Sequence, residues 1–148
     1  MQYDGYSVST DFKLIQQEFA VSTPFNIVKD IRELRLSEQD LGEITKNVSE
    51  ELKAGDGRTS NQSVYFGYKR LARWAKIRVA DVQRKTGKSS GYRCIVLVDE
   101  KNKFGYILHL YLHSSIINIS QQEKNQLKKL VDEYIDNLWI KERYKYEY

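Results

Sequence analysis

Four residues in the middle of this sequence have side chains that could act on a phosphodiester: Arg78, Arg93, Tyr111 and His113. A guanidinium pairs bidentately with two phosphate oxygens, so Arg78 and Arg93 suit a clamp on a phosphate or on the added charge of a phosphorane. Tyr111 could exchange a proton if neighbouring cations lower its pKa; equally, it could stack on a base or pack in a core. His113 and His109 are the only side chains here that titrate near neutral pH unaided, and His113 is the better candidate for acid or base. His109 lies inside an apolar run and reads more readily as a satisfied structural histidine. Acid–base action on a phosphodiester needs a base, a counter-charge for the added negative charge and a proton for the leaving oxygen, and these residue types include a candidate for each.

The charge distribution points the same way. Between Lys69 and Arg93, nine Lys or Arg stand against one acid, Asp81, a local +8 in a chain of net charge +4. The rest of the chain is therefore acidic. Lys69, Arg73, Lys76, Arg84, Lys85 and Lys88 are the candidate contacts to a nucleic-acid backbone. The plain alternative for such a run is a solvated basic face, and Trp74 reads as packing rather than as a platform for a base. A pI near 9.0 suits a polyanionic partner without requiring one.

Three β-rich runs, at 71–82, 91–99 and 104–113, must position these residues. The break between the first two is basic and rich in Gly and Ser; the second, Glu100-Lys101-Asn102-Lys103, has the length of a hairpin turn. Period-two alternation divides each run between two faces. One face collects Ala75, Ile77, Val79, Cys94, Val96, Val98, Leu108, Leu110 and Leu112, and is expected to pack on helices. The other collects Lys76, Arg78, Arg93, His109, Tyr111 and His113, and is expected to be the open cationic face.

Residues 1–10 are expected to be loosely held, and 12–21 to form a strand. Thr23-Pro24 has the signature of a helix start, with Phe25, Val28, Ile31 and Leu34 at helical spacing. Ser37 with Asp40 three residues on starts a second helix, whose stripe is Leu41, Ile44, Val48 and Leu52 and whose stop is Gly55 or Gly57. Residues 24–54 thus read as a helical hairpin, 58–68 as a loop and 69–114 as a sheet. Ser120 and Glu123 form a full capping box for a last helix over 120–143, with an apolar stripe of Leu127, Leu130, Val131, Tyr134, Ile135, Leu138 and Trp139. All 148 residues read as one α+β domain with an antiparallel sheet of three or four strands.

A hydrophobic content of 41% with 30% charged residues fits a soluble domain. No stretch nears the ~20 apolar residues of a membrane span. The start MQYDGYSVSTDF lacks the basic and apolar regions of a signal peptide, so a cytoplasmic location with no membrane partner is expected. Cys94, the one cysteine, sits in a strand pattern and reads as core. No metal or other cofactor is expected: His109 and His113 share a strand face without a Cys or carboxylate at ligand spacing. Gly87-Lys88-Ser89-Ser90 lacks the earlier glycine of a phosphate loop, position 82 being Val, and no Ser-centred elbow occurs.

Residues 64–135 resemble the RelE/ParE superfamily of bacterial toxins, and within it the HigB-like branch. The resemblance rests on Lys76-Ile77-Arg78, on the strand entry Gly87-Lys88-Ser89-Ser90-Gly91-Tyr92-Arg93-Cys94-Ile95 and on the turn Asp99-Glu100-Lys101-Asn102. Leu110-Tyr111-Leu112-His113-Ser114 and the helix start Ile119-Ser120-Gln121-Gln122-Glu123 complete it, in the family's order. His113 stands where the family has Lys, and Ser90 where it has a second loop Gly. The resemblance implies a RelE-like fold, in which a twisted antiparallel sheet cradles mRNA on the ribosome and cleaves it. It also implies a cognate antitoxin protein that covers or distorts that surface. Arg78, Arg93, Tyr111 and His113 would then be catalytic. Two other readings stay open: a non-catalytic module of this fold that binds protein or nucleic acid, and a gyrase inhibitor of the ParE type.

Overall fold

The computed structural model describes residues 5–12, 16–17, 23–55, 72–80, 91–112 and 119–146, with side chains to 137 in the last stretch. Its elements in chain order are β1 (Ser7–Ser9), α1 (Ile27–Glu33), α2 (Glu38–Gly55), β2 (Ala72–Val79), β3 (Tyr92–Asp99), β4 (Phe104–Leu112) and α3 (Gln121–Tyr146). The four strands form one sheet in the order β1-β4-β3-β2. β2, β3 and β4 pair antiparallel as a meander, while β1 runs parallel to β4. The architecture is α+β, and the sheet is mixed rather than wholly antiparallel. Among the described residues, no helix is long and apolar enough to cross a membrane.

The helix starts follow local capping chemistry, with one displacement. Ser37 and Asp40 exchange reciprocal bonds of 3.1 and 3.0 Å at the head of α2, and Ser120 and Glu123 do the same for α3 at 3.1 and 3.0 Å. The cap of α1 is Asn26 rather than Thr23: its side chain accepts from Lys29 N–H at 3.1 Å. Thr23 instead folds back on Phe25 N–H at 3.2 Å, so Pro24 lies in the approach to the helix. α1 stops without a glycine. Arg35 takes the left-handed conformation (φ 53°), and Leu36 N–H closes on the Ile31 carbonyl at 3.1 Å.

Two expectations for the N-terminal segment are overturned. Ser7–Ser9, expected to be loose, is an edge strand, because long-range contacts hold a sequence with little propensity of its own. Tyr6 is buried, its hydroxyl donates to Glu100 at 2.8 Å, and its carbonyl accepts from Ser49 at 2.7 Å. Phe12, Gln16 and Gln17, the described residues of the expected strand at 12–21, are helical. In the sequence, Phe19 and Val21 fall out of strict alternation with Phe12 and Leu14, which is the sign of that outcome. The loops at 58–68 and 83–90 and the stop at Gly57 lie outside the described residues.

Both faces of the sheet are buried. On one, Ile27 of α1 and Ile44, Val48 and Leu52 of α2 pack on Ala75, Ile77, Val79, Cys94, Val96, Val98 and Leu110. On the other, Leu127, Leu130, Val131, Tyr134 and Ile135 of α3 pack on Trp74, Ile95, Leu97, Leu108 and Tyr111. At about 1.5–3 kcal/mol for each large apolar side chain buried, α3 is a major source of stability. The expectation of an open second face is therefore corrected. Every residue of β3 is buried, as its nearly unbroken apolar run requires of a strand covered on both sides. Leu138 and Trp139 fall where side chains are not described.

A β-bulge in β4 explains the remaining departure. Ile95 pairs with His109 and Val96 with Ile107, so Leu108 is an extra residue opposite Ile95. Leu108 joins the α3 face, while Ile107 and Leu110 face α1 and α2. The expected stripe Leu108–Leu110–Leu112 is thus split. The β3–β4 turn falls at Glu100–Lys103 as expected, with Lys103 at φ 59°. Asp99 fixes it by accepting from Asn102 N–H at 2.8 Å and Asn102 Nδ2 at 2.9 Å, and Tyr134 of α3 donates to the same carboxylate at 2.7 Å. Three donors make the full burial of Asp99 tolerable.

Candidate functional site

The meander brings three of the candidate residues into one row across the sheet. Arg78 pairs with Arg93, and Arg93 pairs with Tyr111, so the three lie side by side on the face that α3 covers. Lys76 is one step further along the same face of β2, opposite Ile95. Arg78 is exposed, Lys76 is half-buried, and Arg93 and Tyr111 are buried. The row lies toward the start of α3, where Lys124 in the first turn adds a further cation near Lys76.

Burial lowers the pKa of Lys76, and Arg93, Arg78 and Lys124 lower it further. Burial and Arg78 together press on Arg93, although a guanidinium remains charged. Tyr111 moves the opposite way from the sequence expectation. Burial raises its pKa and outweighs the lowering by Arg93, so the phenol is neutral at working pH. It is suited to donate a proton or a hydrogen bond, and unsuited to act as a base. Its hydroxyl oxygen is buried without a hydrogen-bond partner among the described residues. An orphaned buried donor beside a cluster of cations is an unusual cost to retain.

Arg73 departs from the expected set. Strand alternation places it on the opposite face from Lys76 and Arg78, where it is buried. Its Nε donates to Glu100 at 2.6 Å, so it joins the β2 end to the β3–β4 turn rather than meeting a polyanion. His109 is held as a structural histidine: its Nδ1 lies 2.7 Å from Asp30 Oδ2, and its ring stacks on Phe25 at 4.4 Å. The same carboxylate oxygen accepts Leu110 N–H at 3.1 Å, beyond the stretch of β4 that β1 covers. Trp74 is buried in the core. So is Cys94, whose thiol is pushed up by burial. Lys69, Arg84, Lys85, Lys88 and His113 lie outside the described residues.

Sequence reasoning missed Lys124 and Asp30. Neither carries a local signal; Lys124 sits in an ordinary capping turn, and Asp30 on a polar helix face. Only the packing of α3 and α1 against the sheet gives them a role. Among the described residues, no three His, Cys, Asp or Glu side chains cluster as a metal site would require. What the row offers an anion is positive charge from the exposed Arg78 and the half-buried Lys76; Arg93 beside them is buried, and its Nη1 donates to the Tyr92 carbonyl at 3.3 Å. No protein-family model matches this chain, and no curated protein matches it in sequence.

Proposed function

We propose that this chain is a RelE/HigB-like toxin, a ribosome-dependent mRNA endonuclease restrained by an antitoxin protein. The observation that carries the reading is the cross-strand row Arg78–Arg93–Tyr111, with Lys76 beside it. These are the positions to which the resemblance assigns the chemistry, and they meet although they are far apart in sequence. Arg78, exposed at the rim, takes the scissile phosphate, and Arg93 adds charge from beneath. His113, the remaining candidate, takes the 2′-hydroxyl proton as that oxygen bonds to phosphorus and the P–O5′ bond breaks, and Tyr111, held neutral by burial, protonates the leaving 5′-oxygen. This role requires the start of α3 to move aside, because the Tyr111 hydroxyl is buried.

Induced expression in a bacterial host, with mapping of mRNA 5′ ends, tests this. Growth arrest with new cleavages at defined codon positions is expected, lost in Arg78→Gln, a substitution at an exposed site. A second reading, a binding module without catalysis, draws on the burial of the Tyr111 hydroxyl beneath other elements. Normal growth and intact transcripts from a folded, abundant protein select that reading. Arrest with altered plasmid supercoiling and intact transcripts selects a gyrase inhibitor instead.

A further inference from the structure

On the side of the sheet away from the arginine row, β1 forms an edge whose outer backbone groups are only partly used. Ser7 N–H donates inward to the Lys103 carbonyl at 2.9 Å, and the alternation of a parallel ladder turns Ser9 inward as well. The backbone groups of Tyr6 and Val8 therefore face outward. Tyr6's carbonyl is already capped by the Ser49 hydroxyl of α2 at 2.7 Å, which leaves Val8 as the outward position for an added strand. Among the described residues, nothing bonds the outward N–H and C=O of Val8. Beside them runs an open groove of about 640 Å³, walled on one side by β1 and on the other by Thr45, Lys46, Ser49 and Lys53. The volume lies within the roughly 300–1,000 Å³ of pockets that hold a ligand.

The helix wall is built for approach. Thr45, Ser49 and Lys53 recur at intervals of four on one face, next to Lys46, and α2 turns its large apolar side chains Ile44, Val48 and Leu52 away into the core. Gly42 leaves one end open, since a Cβ there would meet nothing within 4 Å. Gly105 sets α2 close to the sheet; a Cβ on it would come within 3.2 Å of Leu52 Cδ1 and 3.4 Å of Val8. Lys46 and Lys53 are exposed toward the two ends of the groove, with Glu50 between them.

The geometry points to this groove as a docking site for an extended acidic peptide, which adds to β1 as a fifth strand. Val8 supplies main-chain bonds, as in other strand-addition sites. Lys46 and Lys53 select acidic side chains near the peptide's ends, and Glu50 disfavours an acid at its centre. The site shares no residue with the Arg78–Arg93–Tyr111 row, so it stands whether or not the chain cleaves RNA.

The test is a titration of the ¹⁵N-labelled full chain with acetyl-EVEVE-amide, and with acetyl-KVKVK-amide as the control, followed by NMR. Saturable shifts confined to residues 5–9 and 42–53, with slowed exchange of Val8 N–H, are expected. The lysine peptide should bind about tenfold more weakly, and Lys46→Glu with Lys53→Glu should weaken the acidic peptide by a similar factor without altering unfolding. Any of three results overturns the proposal: no saturable shift at millimolar peptide, equal affinity for both peptides, or shifts centred on residues 76–78 and 93. A concentration-dependent dimer paired through β1 would also overturn it, by assigning the edge to a second copy.

Discussion

Arg78 of β2 stands directly opposite Arg93 of β3, two like charges in one cross-strand pair with Tyr111 as the next residue in the row. Directly opposed like charges destabilise a sheet by up to about 1 kcal/mol. Replacing the exposed Arg78 by Gln should therefore leave stability unchanged or raise it slightly in dilute buffer. The gain should fade in 1 M salt, where the screening length falls to about 3 Å. Melting temperatures of both proteins at the two salt concentrations check this. A clear loss of stability in Arg78→Gln at low salt would mean that the pair is held by an unseen counter-charge.

Buried phenols and the buried thiol set the alkaline limit of the fold. Burial raises the pKa of Tyr106, Tyr111, Tyr134 and Cys94, with Asp99 adding to the rise at Tyr134. Groups whose folded pKa exceeds the unfolded one contribute stability below the unfolded value and lose it as pH rises toward the folded one. Stability should therefore begin to fall above about pH 8.5 through Cys94 and more steeply above about pH 10 through the tyrosines. Lys76 acts in the other direction, since its lowered pKa disfavours the charged folded form, but it is only half-buried. Urea midpoints from pH 7 to 11 check the slope, and Cys94→Ala should remove its earliest part. A midpoint constant to pH 11 would contradict the burial of these groups.

Much of this fold is legible in the sequence because its signals are local. The capping boxes at Ser37 and Ser120, the turn at Glu100–Lys103 and the stripes Ile44–Val48–Leu52 and Leu127–Leu130–Val131 each depend on neighbours within a few residues. What is not legible depends on contacts far along the chain. Ser7–Ser9 is a strand only because Tyr6 reaches Glu100 and Ser49. The bulge at Leu108 shows only when β4 is laid against Ile95. The candidate row is readable in part: strand parity places Arg78, Arg93 and Tyr111 on one face, but not their degree of cover. Arg73 looked like one more cation in a basic run, and its carboxylate partner lies across a turn.

That partnership is itself testable. Arg73 is almost fully buried, and Glu100 is its carboxylate, with Tyr6 as a second donor. Burial alone would raise the Glu100 pKa; the bonds from Arg73 and Tyr6 outweigh it and hold the carboxyl below its ordinary value. With the folded pKa depressed, the contribution is present above about pH 4.3 and is lost as pH falls through the folded value. Glu100→Gln leaves a buried guanidinium without its counter-charge and should cost about 3–5 kcal/mol near neutral pH. Arg73→Met with Glu100→Gln should recover most of that cost, because the pair's desolvation is removed with its attraction. Denaturant unfolding of the three variants decides it, and a single variant as stable as the parent would show that the pair is not coupled.

Asp30 closes the open part of the β4 edge. One of its carboxylate oxygens takes both His109 Nδ1 and Leu110 N–H, just past the bulge and beyond the reach of β1. An edge N–H left without an acceptor costs stability and invites pairing with another chain. Asp30→Ala removes the acceptor for both groups, each bond to a charged group being worth about 1.5–3 kcal/mol. A loss of about 2–4 kcal/mol is expected, the lower end because solvent reaches part of the site. Hydrogen exchange at Leu110 should accelerate in Asp30→Ala, while the Ile95 amide, in the centre of the sheet, should change only with global stability. Equal acceleration at both amides would mean that α1 holds the whole sheet, rather than this one edge.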